Sequence, residues 1–187
     1  RTLAPVAYRI NLLEEVPAVR EVTGGRDITY ENVETRDLSF SYGNGEEVLK
    51  SVSMKAGSRG ITGVTGESGC GKSTLLNLLV RFRERTGGSI EYGGTDIGRV
   101  NTASLLENVT MVSQEVYLFD GTIEENLRVA KADATAEEME EACRKASVHD
   151  FIASLPDGYA TRAGAAGDRL SSGERQRIGL ARAFLRG

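Results

Sequence analysis

One eight-residue stretch constrains this chain more than any other feature. Residues Gly66–Ser73 read GESGCGKS and match the pattern G-x-x-x-x-G-K-[ST]. Glycines let successive backbone N–H groups approach an anion without an intervening Cβ. Leu75, Leu79 and Phe82 follow at helical spacing, which predicts a helix over Lys72–Phe82 with its N-terminus toward that anion. We therefore predict a phosphate-binding loop, the alternative being an ordinary glycine turn before a helix.

Two side chains of this loop suit a nucleotide phosphate and its counter-ion. Lys72 supplies a mobile positive charge for the β- and γ-phosphates. The Ser73 hydroxyl suits Mg²⁺, which keeps most of its shell as water and phosphate oxygen, so Mg²⁺ is the predicted cofactor. Cys70 has two interpretations. It occupies a position where any small residue would serve, or its thiol, beside a lysine at a helix start, is a reactive group. The predicted nucleotide-binding residues of the loop are Gly66, Glu67, Ser68, Gly69, Cys70, Gly71, Lys72, Ser73 and Thr74.

The sequence before the loop is typical of β-strands. Leu38, Phe40 and Tyr42 alternate with serines inside residues 28–42, a period of two. After a glycine-rich turn, residues 48–54 predict a second strand. Further along the chain, the sequence predicts a short strand leading into the loop at 61–65, a hairpin at 87–97 and a buried strand at 109–113.

The later part of the chain favours helices. Residues 124–156 have helical spacing, and Thr135 with Glu138 forms a capping-box pattern at a helix start. An amphipathic stripe follows, formed by Met139, Ala142, Cys143 and Ala146.

Composition excludes several classes of protein. The chain has 187 residues, with 40% hydrophobic and 27% charged residues, which is typical of a globular protein. A net charge of −4 gives no reason to expect a nucleic-acid partner. The longest apolar runs are only a few residues, so no transmembrane helix is predicted. Two cysteines are too few for a disulfide scaffold and suit a reducing compartment.

A second motif narrows the interpretation. Residues Leu170–Arg177 read LSSGERQR before a predicted helix, and this resembles the Leu-Ser-Gly-Gly-Gln signature loop of the ATP-binding-cassette (ABC) family. The resemblance covers nearly the whole chain. Residues 112–126 look like the Gln loop of the exporter branch, and 155–159 and 181–183 are also similar to that branch.

The resemblance implies an α/β fold, a P-loop NTPase core with an antiparallel β-subdomain and a helical subdomain. It implies that residues 1–25 are a linker from a transmembrane domain. It also implies that residues 26–187 are an ABC nucleotide-binding domain that is incomplete at its C-terminus. The helical subdomain is expected at about 124–170.

The resemblance also implies roles for single residues. Tyr42 matches the aromatic that stacks on adenine, and Gln114 matches the residue that reaches Mg²⁺ and the attacking water. Gln114 is thus a predicted metal ligand with Ser73, and a predicted catalytic residue with Lys72. In this family two domains pack head to tail, and the signature loop grips the γ-phosphate held by the second domain. The predicted signature residues are Ser171, Ser172, Gly173 and Glu174, of which Ser171 and Gly173 match the family pattern.

Two signature residues depart from the family pattern. Ser172 stands where glycine is usual, and Glu174 stands where glutamine is usual. Glu174 in the first helical turn suits the helix dipole, yet it adds negative charge where a triphosphate would dock. We expect the family to tolerate both substitutions, which bear on the strength of ATP-driven dimerisation and not on the fold.

The resemblance implies that the catalytic carboxylates of the family are not among residues 1–187. The family continues with an apolar strand ending in an Asp for Mg²⁺ and a catalytic Glu, and a later loop supplies a His. His149 is not that residue and has an expected solvated or capping role. We expect residues 1–187 alone to bind nucleotide weakly at best, to aggregate readily and not to turn over ATP. Either the sequence is an incomplete record of a longer protein or it is a natural truncation.

The expected function is that of an ABC exporter's ATP-binding domain at the cytoplasmic face of a membrane. The expected partners are ATP or ADP, a second nucleotide-binding domain and a transmembrane domain, with no nucleic acid. Two alternatives stay open at this point: a soluble ABC ATPase, and an ATP-gated binding module that does not hydrolyse ATP.

Overall fold

The computed structural model describes residues 21–29, 31–43 and 45–186. The chain divides into two compact units, Arg1–Val109 and Thr110–Gly187. Most of the predicted linker lies outside the described residues, and the domain boundaries expected from the sequence stay a prediction. Among the helices that the structure describes, none is both long enough and apolar enough to cross a membrane.

A four-stranded antiparallel sheet forms the body of the first unit. Its strands are β1 (Val33–Ser41), β2 (Glu47–Ala56), β3 (Gly87–Tyr92) and β4 (Thr95–Asp96), in the order β2-β1-β3-β4. The alternation predicted for β1 is confirmed, since Leu38 and Phe40 are buried and Tyr42 packs partly buried against the same core. The predicted hairpin near residues 87–97 is β3 and β4.

Two helices complete the first unit, α1 (Lys72–Leu79) and α2 (Thr102–Asn108), with a 3₁₀ turn at Ile97–Arg99. The buried side chains of α1 lie against the sheet in one hydrophobic core. Members of that core include Leu38, Phe40, Leu49, Leu75, Leu78, Ile90, Val100 and Leu105.

Helix α1 ends three residues earlier than predicted. Arg81 adopts a left-handed conformation with φ of +56°. The Arg81 N–H bonds the Leu78 carbonyl and the Phe82 N–H bonds the Asn77 carbonyl, the paired bonds of a Schellman motif. Phe82 is consequently 55% exposed. The prediction that Phe82 lies on the same helix face as Leu75 and Leu79 is therefore wrong. The buried Arg81 guanidinium holds this conformation by donating to the carbonyls of Ile97 and Val100.

The strands predicted at 61–65 and 109–113 are not formed. Both segments are irregular, and the side chains of Ile61, Val64 and Val112 are exposed. A strand needs a neighbouring strand to bond its N–H and C=O groups. Within the described part of the chain neither segment has such a neighbour. Apolar composition alone therefore gave a wrong prediction at both places.

The second unit is helical. Its helices are α3 (Ile123–Arg128), α4 (Ala136–Lys145), α5 (His149–Ser154) and α6 (Ser172–Arg186). The predicted capping box of α4 is confirmed, because the Thr135 hydroxyl accepts the Glu138 N–H while the Glu138 carboxylate accepts the Thr135 N–H. The predicted α4 stripe is buried, and the long helix α6 begins at Ser172 as expected.

Candidate functional site

The phosphate loop, residues 66–73, is a largely exposed turn in which the Cys70 N–H donates to the Glu67 carbonyl at 3.4 Å and several other backbone donors are free. Gly69 and Gly71 adopt left-handed φ values of +83° and +96°. A Cβ at Gly71 would also lie 2.8 Å from Leu49 Cδ2, so both the positive φ and the space favour glycine where α1 begins. Within the described part of the chain, the backbone N–H groups of Gly69, Gly71, Lys72 and Ser73 have no acceptor. Four unbonded donors at a helix N-terminus form a site for an anion.

Lys72 adds a positive charge to these donors. Its Nζ donates to the carbonyls of Gly66 at 2.9 Å and Glu67 at 2.6 Å. The ammonium group therefore folds back over the loop instead of extending from α1. The exposed Cys70 thiol lies 3.7 Å from the same Nζ. The lysine is thus held at the loop by exposed carbonyl contacts, for which a phosphate oxygen could substitute as acceptor.

The donor chemistry beside Lys72 suits a hard cation. Ser73 is exposed, and its hydroxyl forms no hydrogen bond to any residue that the structure describes. A free hydroxyl is an oxygen ligand of the kind Mg²⁺ takes when phosphate and water fill the rest of its shell. No group of three or more His, Cys, Asp or Glu side chains able to hold a metal exists in residues 21–29, 31–43 and 45–186. Any Mg²⁺ at this loop would depend on a nucleotide for most of its ligands.

Tyr42 lies immediately after β1 and contacts the helix that follows the phosphate loop. Its hydroxyl is 3.0 Å from the Oγ1 of Thr74, a buried residue of α1. Its ring packs at 86° against Phe40 with centroids 4.9 Å apart. The structure thus brings together two predicted nucleotide-binding residues, Tyr42 and Thr74, that are distant in sequence.

The signature loop, residues 171–174, is closed by its own side chains. The Glu174 carboxylate accepts the Ser171 N–H at 2.8 Å, and the Ser171 hydroxyl oxygen accepts the Glu174 N–H at 3.3 Å. This reciprocal pair has the form of a capping box. Ser172 is exposed, and Gly173 lies in the first turn of α6. The Ser171 hydroxyl keeps its own hydrogen free to donate.

Gln114 lies beside the signature helix in the second unit. The side-chain Nε2 of Gln176 donates to the Gln114 carbonyl at 2.9 Å. Gln114, Ser172 and Gln176 line one cleft of about 590 Å³. The structure therefore brings the predicted Gln loop and the predicted signature loop together.

A buried polar network holds the segment that follows Gln114. The fully buried Asn126 side chain bonds both the N–H and the carbonyl of Phe119. Arg182 of α6 donates to the Tyr117 carbonyl at 2.8 Å and to the Asn126 carbonyl at 2.8 Å. Burial lowers the pKa of the Arg182 guanidinium from its usual value. These bonds fix the Gln loop to α6, and sequence analysis did not assign Asn126 this role.

His149 differs from its expected solvated or capping role. Its Nδ1 lies 2.9 Å from the Tyr159 hydroxyl, and the residue is half-buried as the first residue of α5. Sequence spacing gives no signal for this contact, because Tyr159 lies in a separate 3₁₀ turn, Gly158–Ala160.

Comparison with known proteins identifies the family. The sequence model described as "ABC transporter" matches residues 49–187, so the chain belongs to the ABC transporter family. A probable ABC transporter ATP-binding/permease protein of Haemophilus influenzae is 45% identical over 186 residues, covering 99% of this chain and 34% of the relative. Human ATP-binding cassette sub-family B member 6 is 37% identical over 178 residues, covering 94% of this chain and 21% of the relative.

A solved structure shows the same relationship. The ATP-bound structure of a bacterial Atm1-family ABC exporter aligns with a TM-score of 0.84 at 31% identity, over 99% of this chain and 33% of that chain. The predicted ABC ATPase fold and exporter branch are confirmed. The chain spans between about a fifth and about a third of the length of these relatives. It corresponds to an ATP-binding domain within proteins that also contain a permease part.

Proposed function

We propose that this chain binds Mg-ATP at the phosphate loop and forms part of the ATPase domain of an ABC exporter, in which the complete protein hydrolyses the nucleotide. The observation that carries the proposal is the set of unbonded N–H groups at the start of α1, together with the Lys72 ammonium. These donors suit the β- and γ-phosphates, and Lys72 would exchange its carbonyl partners for phosphate oxygens. Tyr42 would stack on the adenine base.

In this proposal Ser73 supplies an oxygen ligand to Mg²⁺, and Gln114 keeps the role that the family resemblance implies, toward Mg²⁺ and the attacking water. When bound there, Mg²⁺ would supply positive charge against the phosphate charge that develops during hydrolysis. Ser171 and Gly173 would donate to the γ-phosphate of ATP held by a second nucleotide-binding domain in a head-to-tail pair. Hydrolysis to ADP and phosphate would drive transport through a transmembrane partner, with this domain at the cytoplasmic face of the membrane.

Equilibrium titration of the chain with a fluorescent ATP analogue tests the proposal. Lys72→Ala removes a charge-assisted contact, so we expect affinity for Mg-ATP to fall by about 10- to 100-fold. The matched control is Lys55→Ala, which removes one positive charge from an exposed lysine of β2 whose ion pair with Glu34 is long, 3.9 Å. Equal affinity in the two variants would contradict the phosphate-loop assignment.

A further inference from the structure

Arg83 is an exposed arginine that contacts the ring of Tyr42. It lies in the turn after α1, and its guanidinium carbon is 5.0 Å from the centroid of the Tyr42 ring. This distance is within the range of a cation–π interaction. In the part of the chain that the structure describes, Arg83 forms no hydrogen bond or ion pair. Its contact with the ring is therefore the interaction that places its side chain.

The Tyr42 ring is held by three different groups. Thr74 bonds its hydroxyl, Phe40 packs perpendicular to it, and Arg83 covers a face. A ring fixed in this way loses little conformational freedom when a planar ligand stacks on it. Tyr42 itself is only half-buried, so part of it stays accessible.

We propose that Arg83 is a positioning residue for recognition of the nucleotide base: it holds Tyr42 in the orientation that stacks on the base. The inference rests on the proposed function, because it assumes that Tyr42 meets the base of a bound nucleotide. Its effect is confined to the base, since Arg83 contacts the aromatic ring and not the phosphate loop. Nucleotides should depend on Arg83, while an inorganic phosphate chain should not.

Titrations of the full chain with ATP and with inorganic triphosphate test this inference. Arg83→Gln keeps a side chain of similar length and removes the cation, and should weaken ATP binding about two- to fivefold while triphosphate affinity is unchanged. Arg83→Lys keeps the cation and should recover part of the loss. Lys55→Gln removes one positive charge from the same unit, at the end of the β1–β2 hairpin away from Tyr42, and is the matched control.

A double-mutant cycle assigns the effect to the ring. In a Tyr42→Ala background, Arg83→Gln should have no further effect on ATP affinity. The inference is overturned if Arg83→Gln binds ATP as the Lys55→Gln control does, binds it more tightly, or loses ATP and triphosphate affinity equally. The inference is also overturned if the effects of Tyr42→Ala and Arg83→Gln on the free energy of ATP binding are additive. If Lys72→Ala retains full ATP affinity, the proposed function is wrong and the inference about Arg83 is wrong with it. If Lys72→Ala loses ATP affinity, the proposed function stands, and the Arg83 variants alone decide whether the inference is correct.

Discussion

The phosphate loop and the signature loop use the same element in opposite ways. Each is a glycine-containing turn at the N-terminus of a helix, where backbone N–H groups lack helical partners. At α1, Gly71 precedes the helix and no side chain caps it. At α6, Ser171 and Glu174 cap the helix start with two reciprocal hydrogen bonds. A helix N-terminus is therefore a potential anion site whose availability is set by the side chains around it.

The phosphate loop and the signature loop also differ in the charge of their side chains. The phosphate loop carries Lys72, whose ammonium lies over the loop. The signature loop carries the Glu174 carboxylate, which already bonds a backbone donor at that helix start. In the proposed function a nucleotide phosphate would therefore meet attraction at the first loop and a competing carboxylate at the second. We expect the first loop to bind nucleotide alone and the second to act only on nucleotide held by another domain.

The largest effect is expected for self-association. Ser171→Ala removes the hydroxyl proposed to reach a partner's γ-phosphate, so ATP-driven dimerisation should weaken by about tenfold or more. Affinity of the monomer for ATP should be unchanged. Sedimentation velocity at several protein concentrations, with and without Mg-ATP, measures the first quantity.

Loss of a helix cap alone has to be excluded as the cause. Thr135→Ala removes the equivalent hydroxyl from the capping box of α4 in the same unit. If Thr135→Ala weakens dimerisation as much as Ser171→Ala does, the trans role of the signature loop is wrong.

Replacement of Gly71 in the phosphate loop and of Gly173 in the signature loop should change the free energy of unfolding by different amounts. Gly71→Ala forces an L-residue into a left-handed conformation and places its Cβ against Leu49, and should cost roughly 1–2 kcal/mol of unfolding free energy. Gly173 has no positive φ, and a Cβ there would meet only the flexible Arg177 side chain, at 3.4 Å. Gly173→Ala should therefore change stability by less than about 0.5 kcal/mol. Urea denaturation of both variants measures the difference, and equal losses would refute the distinction drawn between the loops.

The smallest effect is expected for the charge of Glu174. Glu174→Gln keeps an oxygen that can accept the Ser171 N–H and removes the negative charge, so ATP-driven dimerisation should strengthen about two- to fivefold. Glu174→Ala removes both the charge and the hydrogen bond, and should dimerise less well than Glu174→Gln. Weaker dimerisation of Glu174→Gln than of the unaltered chain would show that the carboxylate assists the signature loop.

Local sequence patterns predicted the elements whose cause is local. The alternation in β1, the capping box at Thr135 and the start of α6 each depend on residues a few positions apart. The strands expected at 61–65 and 109–113 failed because a strand depends on a distant partner. The early end of α1 was missed because Arg81, an arginine, takes the left-handed position that glycine usually marks.

In the candidate site, too, contacts between residues distant in sequence were not predicted from the sequence. The motif gave the residues of the phosphate loop, but no spacing indicates that Lys72 folds back onto Gly66 and Glu67. The links between Gln176 and Gln114 and between Arg83 and Tyr42 join residues far apart in the sequence. Such contacts follow from tertiary packing, and a single sequence carries no direct signal for them.

Amide hydrogen exchange with and without Mg-ATP tests the contrast between the two loops most directly. At protein concentrations where the chain is monomeric, Mg-ATP should slow exchange at residues 66–74 and leave residues 171–174 unchanged. At higher concentrations, both segments should become protected together as domains pair. Protection of the signature loop in the monomer, with an unaffected phosphate loop, would contradict this account.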